Sequence, residues 1–128
     1  MRKDLEELLK SMDEDFSLAK IALEMKLFRS SVFHSHQCVE KLLKAYLLYR
    51  KGKYPFTHSL SKLLKECLEV EKAFQDLINL KVHQLEIYYT GARYPPLLDV
   101  SEEEAKEVLK IAEIVRRVVL SLLESSEP

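Results

Sequence analysis

Residues 28–50 read FRSSVFHSHQCVEKLLKAYLLYR, and this stretch decides the fold. Apolar residues recur in it at three- and four-residue steps, the spacing that places side chains on one face of an α-helix. They are Val32, Val39, Leu42, Leu43, Tyr46 and Leu47. Gly52 can end a helix and Pro55 prevents its continuation, so the sequence predicts one long helix from about Phe28 to Arg50.

The segment before this stretch predicts another helix, from about Lys3 to Met25. Its apolar face contains Leu5, Leu8, Leu9, Met12, Phe16, Ala19 and Leu23. No glycine or proline separates the two helices, and we place the turn between them around Lys26.

The segment after Gly52 predicts two more helices. A short loop, Lys53–Thr57, leads to a third helix that Thr57 or Ser59 caps. Its apolar residues are Leu60, Leu63, Leu64, Cys67 and Leu68. A fourth helix begins near Glu71 and extends towards Tyr88. Its inward-facing residues are Phe74, Leu77, Ile78, Val82 and Leu85.

Gly91 and two prolines interrupt the pattern, and Thr90–Val100 is therefore predicted to be a loop. The sequence Ser101-Glu-Glu-Glu104 is a capping box that opens a last helix, which continues to about Glu124. Its main apolar face contains Val108, Leu109, Ala112, Val115, Val119, Leu122 and Leu123, and Ile111, Ile114 and Val118 widen it. So wide a face is either deeply buried or shared with a second subunit.

Composition supports a single all-α domain over residues 1–128. The chain has only two glycines, which favours long helices, and it shows no strand alternation or internal repeat. We therefore predict a four- to five-helix up-and-down bundle with short loops. The 20 basic and 21 acidic residues nearly cancel, which argues against a protein that coats DNA.

The chain begins with charged residues and contains no apolar run near the roughly 20 residues that span a bilayer. We therefore expect a cytoplasmic protein without a membrane partner. Cys38 and Cys67 lie far apart at apolar helix positions, and buried thiols in a reducing compartment are the favoured interpretation over a disulfide or catalytic role.

The second helix also carries a polar stripe. On a helical wheel, one polar sector contains His34, Gln37, Glu40, Lys41 and Lys44, and His36 lies at the edge of the apolar side. One interpretation is a surface that faces phosphate or a nucleotide. The alternative is a solvated helix face on which Glu40 pairs with Lys44.

Metal and covalent chemistry have little support. His34 and His36 are two positions apart, so they point about 200° from each other on a helix, which is unsuited to one zinc ion. We find no serine or cysteine nucleophile signature and no glycine-rich phosphate loop. The sequence predicts no metal, no cofactor and no complete catalytic centre.

Three segments together resemble the HEPN family of helical domains. Residues 33–48 resemble its signature helix, which a short turn precedes at Leu27-Phe28. Thr57-His-Ser-Leu60 resembles its threonine-histidine-serine-leucine element, and Tyr89–Pro95 its arginine-tyrosine-proline loop. The resemblance implies a helical bundle that binds nucleotides, often as a homodimer. It also implies a separate minimal nucleotidyltransferase as partner, in a toxin–antitoxin-type pair.

Other HEPN members are metal-independent ribonucleases with an arginine and, four to six residues later, a histidine late in the chain. Here no histidine follows Arg93 within that window. Arg29 and His34 have the spacing, but they lie on the second helix. A ribonuclease toxin that uses Arg29, His34, His36 or His58 is therefore the alternative, with RNA as a less favoured ligand, and a structural dimerisation module is the third hypothesis.

The loop residues Arg93 and Tyr94 have two interpretations. Arg93 and Tyr94 either bind a phosphate and stack a base, or cap a helix end and pack the loop onto the core. His58 is favoured as a link between its loop and the second helix. The leading hypothesis is a non-enzymatic module that binds a nucleotide or a nucleotide-bearing substrate. Its predicted ligand-binding residues are His34, His36, Gln37, Glu40, Lys41, Lys44, His58, Tyr89, Arg93 and Tyr94.

Overall fold

The computed structural model describes residues 2–126 and contains helices and turns but no strand within that range. Its α-helices are α1 (Lys3–Glu24), α2 (Phe28–Lys51), α3 (Leu60–Val70), α4 (Phe74–Asn79), α5 (Tyr88–Gly91) and α6 (Glu102–Ser126), with a 3₁₀ segment at Val82–Ile87 between α4 and α5. The all-α prediction is confirmed. No helix among the described residues is long and apolar enough to cross a membrane.

Helix α2 lies at the centre of the bundle and packs against α1, α3 and α6. Its apolar side is sealed: Val39, Leu42, Leu43 and Leu47 have no exposed surface. Tyr46 is also fully buried, and its ring lies 4.9 Å from the ring of Phe74 on α4. Burial of apolar side chains is the main favourable contribution to folding, so this one helix holds the bundle together.

The turn after α1 forms where the sequence predicts it, although no glycine is present. Lys26 adopts a left-handed backbone conformation with φ of 61°. The N–H of Lys26 donates to the carbonyl of Leu23 at 3.0 Å, and that of Leu27 donates to Ala22 at 2.8 Å. These bonds satisfy carbonyls at the helix end and stop α1. Gly52 ends α2 in the same backbone region, with φ of 77°.

The prediction of one continuous fourth helix from Glu71 to Tyr88 is wrong. The segment is divided into α4, the 3₁₀ segment and α5, and Lys81 at the first break has φ of 64°. The division brings Phe74, Leu77, Val82, Leu85 and Tyr88 all into the core. The loop prediction is also too long, since Thr90 and Gly91 belong to α5. A Cβ at Gly91 would come within 2.7 Å of the side chain of Leu98, so the close approach of the loop requires glycine.

The caps of α3 and α6 show how the short segments are fastened. Ser59 caps α3 as predicted, because its Oγ accepts a hydrogen bond from the Lys62 N–H at 3.2 Å. The capping box of α6 is used differently. Ser101 Oγ accepts from the Glu104 N–H at 3.1 Å, but Glu104 Oε2 accepts from the Tyr88 hydroxyl. Glu104 thus fastens α5 to α6.

The wide apolar face of α6 packs against the core of its own chain. Val108, Ala112, Val115 and Val119 are buried, while Ile111, Ile114 and Val118 are half-buried against them. The sequence left open whether a second subunit covers the wider part of this face. Intramolecular packing already accounts for most of it.

Candidate functional site

The polar stripe of α2 is not a solvated helix face. His36 has no exposed surface and Glu40 has 4%, so two of its members are buried. The reason is tertiary: α1 covers one edge of the stripe, and the segments around α3 and α5 cover the other. The stripe is thereby divided into two groups of polar residues with different surroundings.

The first group lies between α1 and α2, and we call Ser11, Asp15, His34 and Lys41 the Asp15 cluster. Asp15 accepts hydrogen bonds from His34 Nδ1 at 2.8 Å and from Lys41 Nζ at 2.5 Å, and Lys41 also donates to Ser11 Oγ at 2.7 Å. Burial alone raises the pKa of Asp15, but the hydrogen bonds from His34 and Lys41 outweigh it and hold that pKa below its usual range. The cluster is an internal ion pair that joins two helices.

The second group lies where α2 meets the α2–α3 loop and α5, and we call Phe33, His36, His58, Tyr89, Arg93 and Tyr94 the Tyr89 cluster. The rings of Tyr89 and His58 are stacked, with centroids 4.2 Å apart and planes at 20°. The Arg93 guanidinium lies 4.5 Å from the Phe33 ring, 4.6 Å from that of Tyr89 and 4.9 Å from that of Tyr94. A cation within about 6 Å of a ring centroid is attracted by the ring, so the cluster holds Arg93 in place.

Glu40 connects the Tyr89 cluster to the interior of the bundle. Its carboxylate accepts from Lys44 Nζ at 2.9 Å, and both of its oxygens lie 3.1 Å from His58 Nδ1. A carboxylate can only accept, so Nδ1 carries the proton and donates. The His58 side chain is 53% exposed, and its other ring nitrogen, Nε2, is not engaged by Glu40. The predicted link between this loop and α2 is present.

His36 is buried beside the Tyr89 ring, with ring centroids 5.5 Å apart. Its Nδ1 lies 3.1 Å from Gln37 Oε1, an acceptor, so Nδ1 carries the hydrogen. Burial is the main cause that lowers the pKa of His36, and the ring is neutral at neutral pH. Its Nε2 is then a buried acceptor, and no hydrogen-bond donor reaches it from residues 2–126.

Arg93 and Tyr94 combine parts of both sequence interpretations. Arg93 Nε donates to the Tyr89 carbonyl at 2.9 Å, which satisfies a carbonyl in the last turn of α5. This bond leaves the two Nη groups directed elsewhere, and no residue of the described chain accepts from them. Tyr94 does not pack onto the core, since 58% of it is exposed. The loop thus offers a fixed guanidinium beside an open aromatic ring.

Sequence reasoning missed Ser11, Asp15 and Phe33 of these groups, and it also missed Glu86, which fastens the start of α3. Asp15 had a visible signal, because it lies between Met12 and Ala19 on the apolar face of α1. Glu86 had none: its carboxylate accepts from Ser59 Oγ at 2.8 Å and from the Ser61 N–H at 2.7 Å, across 25 or more residues of sequence. Phe33 looked like an ordinary apolar residue but forms one wall of the Tyr89 cluster.

The two cysteines are separate and buried, and burial raises the pKa of each thiol to about 12. They therefore remain protonated and unreactive. Over residues 2–126, no group of three or more His, Cys, Asp and Glu side chains is arranged to hold a metal ion. The Tyr89 cluster provides aromatic rings for stacking, the histidine His58 and the charge of Arg93.

Comparisons with known proteins agree on one family. The HEPN domain model matches residues 5–122 of this chain. A protein of Methanocaldococcus jannaschii named "Putative toxin MJ1304" is 33% identical over 130 residues, which cover 90% of this chain and 85% of that protein. The crystal structure of TT1696 from Thermus thermophilus has a TM-score of 0.80 at 25% identity, and the match covers 94% of this chain and 98% of that one.

Proposed function

This chain belongs to the HEPN family, and on that premise we propose that it is a nucleotide-binding module whose ligand site is the Tyr89 cluster. The observation that carries the proposal is Arg93. Its guanidinium is fixed through Nε and three aromatic rings, and its Nη groups have no acceptor in the described chain. An arginine held in this way is suited to bind a phosphate through two parallel hydrogen bonds.

The remaining residues of the cluster suit a nucleobase. The exposed ring of Tyr94 provides a stacking surface beside Arg93, and the half-exposed imidazole of His58 provides a second one. His58 Nε2 can also accept from or donate to a ligand hydroxyl, because Glu40 fixes the orientation of the ring. Phosphate and base would thus lie on neighbouring parts of one surface.

The lysines of the stripe have a different role from the one that the sequence suggests. Lys41 is paired with Asp15 and Lys44 with Glu40, at 2.5 Å and 2.9 Å respectively. Their charges are already compensated, so they give little net attraction to a phosphate. Arg93 is then the main cationic contact, and the chain alone should bind a nucleotide weakly.

A weak and open site is consistent with a partner that completes it. Phe56 is fully exposed next to the loop that carries His58, and Ile87 beside α5 is 56% exposed. We infer that a partner covers these two side chains. We propose that the partner is a separate minimal nucleotidyltransferase and that the two proteins form a toxin–antitoxin-type pair. The name of the Methanocaldococcus jannaschii relative supports a toxin-like role.

Isothermal titration calorimetry with ATP, GTP, CTP and UTP tests the binding proposal. We expect binding by the wild type, alone or with the nucleotidyltransferase, and strong loss in Arg93→Ala. Arg117→Ala is the matched control, because Arg117 is an exposed arginine on α6 that pairs only with Glu113 at 3.2 Å. Absence of heat for every nucleotide, with and without the partner, would refute the proposal.

Two further expectations need separate measurements. Multi-angle light scattering over a dilution series tests the homodimer that the family resemblance implies. Co-purification of the tagged chain with a nucleotidyltransferase encoded beside it tests the partner. A chain that stays monomeric at high concentration contradicts the first expectation, and a chain that purifies alone contradicts the second.

One observation favours a second function, metal-independent RNA cleavage. The buried Glu40 carboxylate holds the half-exposed His58 ring by Nδ1 and leaves Nε2 as its second ring nitrogen, which is the arrangement of a histidine that acts as a general base. Purified protein should then cleave RNA in EDTA, and His58→Ala should abolish cleavage while His83→Ala does not. RNA that remains intact at high enzyme concentration removes this alternative.

A further inference from the structure

We propose that the Tyr89 side chain occupies the position of the nucleobase in the free protein, and that a bound base carrying an exocyclic amino group displaces it. The base then stacks on His58 and donates its amino hydrogen to His36 Nε2. This inference rests on the proposed nucleotide-binding function. It adds that a side chain of the protein closes the site in the absence of ligand, and that the site prefers bases with an exocyclic amino group.

The surroundings of the Tyr89 ring are those of a bound base. A centroid distance of 4.2 Å and an angle of 20° to His58 describe a nearly parallel aromatic stack. The same ring lies 4.6 Å from the Arg93 guanidinium, the group to which we assign the phosphate. The place with the best stacking contacts next to Arg93 is therefore already filled by a side chain of the protein.

The Tyr89 ring occupies this position but leaves a buried nitrogen of His36 without a hydrogen-bond partner among the described residues. His36 Nε2 is buried and residues 2–126 provide no donor to it, and the His36 ring lies 5.5 Å from the Tyr89 ring between centroids. Buried polar atoms in folded proteins nearly always have a hydrogen-bond partner. An amino group at the edge of a base would supply the missing donor, whereas the carbon edge of the tyrosine ring cannot. The unpaired nitrogen thus indicates both a ligand and the group that the ligand must carry.

The ring can leave while its surroundings stay in place. Tyr88, the preceding residue, is 6% exposed and donates to Glu104, so the backbone of α5 is anchored there. Arg93 Nε donates to the backbone carbonyl of Tyr89 at 2.9 Å, and this bond does not depend on the position of the Tyr89 ring. A rotation about the side-chain bonds of Tyr89 therefore opens the position without releasing Arg93 or unwinding the helix.

Removal of the ring tests the displacement. If the ring is out of its position in about one-tenth of the free molecules, the apparent affinity for the ligand is about tenfold lower than that of a site that is always open. Tyr89→Ala should therefore bind ATP about tenfold more tightly than the wild type, measured by calorimetry. Tyr94→Ala is the control, since Tyr94 is an open stacking surface and its removal should weaken binding. Weaker binding by Tyr89→Ala would show that Tyr89 is itself a stacking surface, and would overturn the proposal.

Replacement of one group on the ligand tests the role of His36 without altering the buried histidine. ATP and purine riboside triphosphate differ only in the 6-amino group. Loss of a hydrogen bond to a buried acceptor should weaken binding of the second ligand about tenfold or more. Equal affinities would overturn the assignment to His36. Failure of both ligands to bind any variant would instead refute the nucleotide-binding function.

Proton NMR of the wild-type protein gives a readout that does not depend on the folding of a variant. In the free protein, the Tyr89 and His58 rings should show a nuclear Overhauser effect, as their stacking requires. On saturation with ATP, that signal should disappear and one between His58 and the adenine protons should replace it. A Tyr89–His58 signal that persists in the saturated complex would contradict displacement.

Discussion

The Asp15 cluster and the Tyr89 cluster lie along two edges of α2 and each contain a histidine paired with a carboxylate, yet they leave different groups unpaired. Each contains a histidine held through Nδ1 by a carboxylate, and each of those carboxylates, Asp15 and Glu40, also pairs with a lysine of α2. In the Asp15 cluster the donors of Lys41 meet acceptors on α1. In the Tyr89 cluster, His36 Nε2 and the Arg93 Nη groups meet no partner within residues 2–126.

The neighbouring elements cause this difference. Helix α1 packs along α2 over its length, so polar residues between them must pair with one another. The other edge of the stripe meets the α2–α3 loop and the four-residue helix α5, which bring aromatic rings and an arginine. The ion pairs at the α1 edge of α2 thus stabilise the fold, while the edge beside α5 keeps unpaired groups that form a candidate binding surface. The following predictions test this division, from the largest expected effect to the smallest.

Removal of the Asp15 carboxylate should cause the largest loss of stability. Asp15→Ala leaves the ammonium of Lys41 without its partner at an interface where that side chain is 24% exposed. Loss of one partner of a buried ion pair costs about 3–5 kcal/mol, and partial exposure brings the expectation to about 3 kcal/mol. Urea denaturation measures this change. Nucleotide affinity should stay unchanged at temperatures where the variant is folded, and a tenfold loss of affinity would contradict the division.

Removal of the Arg93 side chain should weaken nucleotide binding and leave the stability of the fold almost unchanged. Hydrogen bonds to charged groups contribute about 1.5–3 kcal/mol, so Arg93→Ala should weaken nucleotide binding about 10- to 100-fold. The free energy of unfolding should change by less than about 1 kcal/mol, since Arg93 is exposed and caps only a short helix. Calorimetry and urea denaturation measure the two quantities. A large loss of stability without loss of binding would show that the Tyr89 cluster stabilises the fold and does not bind the nucleotide.

Acid should destabilise the protein through Asp15 and Glu86. Burial raises the pKa of Glu86, but hydrogen bonds from the Ser61 N–H and Ser59 outweigh it, so the net pKa is lowered, as for Asp15. A lowered folded-state pKa contributes stability above the unfolded-state values of 4.5 and 3.8. That contribution is lost as the pH falls through the folded-state values.

The double variant Asp15→Asn, Glu86→Gln should therefore be less stable at pH 7 and lose less stability below pH ~4.5 than the wild type. Glu86→Gln alone should cost about 1 kcal/mol, the usual contribution of a capping group at a helix start. Thermal denaturation at several pH values measures the slopes. An unchanged acid slope in the double variant would exclude both carboxylates as its source.

Two adjacent tyrosines should differ in their effect on the site. Tyr88→Phe removes only the hydroxyl that donates to Glu104, so it should lower stability by about 0.5–1.5 kcal/mol and leave nucleotide affinity unchanged. Tyr89→Phe keeps the ring, and we expect it to resemble the wild type in both respects. Altered affinity in Tyr88→Phe would show that the anchor of α5 also positions the ligand site.

The long helices could be predicted because their own residues determine them. Helices α1, α2 and α6 show regular apolar spacing, and Gly52 and Ser101 mark boundaries by local chemistry. The fourth helix could not be predicted in this way. Its apolar residues keep helical spacing through Lys81, but the core is best filled when the chain breaks there and starts again. Tertiary packing overrides local preference in that segment.

The candidate site was predicted by residue type but not by arrangement. A wheel of α2 alone places Glu40 next to Lys44, and the structure shows that ion pair at 2.9 Å. It cannot show that each edge faces inward, because Asp15 and His58 lie on other elements. Likewise, Tyr89 and Tyr94 lie close to Arg93 in the sequence, but nothing in the sequence shows that Phe33 of α2 provides the third ring beside the guanidinium.

The two sealed thiols make this chain a convenient carrier for chemical probes. Cys38 and Cys67 have no exposed surface and stay protonated at neutral pH, so maleimide reagents should not modify the folded protein. A single cysteine introduced by Leu97→Cys, at a 46% exposed residue three positions after Tyr94, would then be the only reactive position under native conditions. A fluorophore attached there would report ligand entry and partner docking directly, without any need to remove the natural cysteines first.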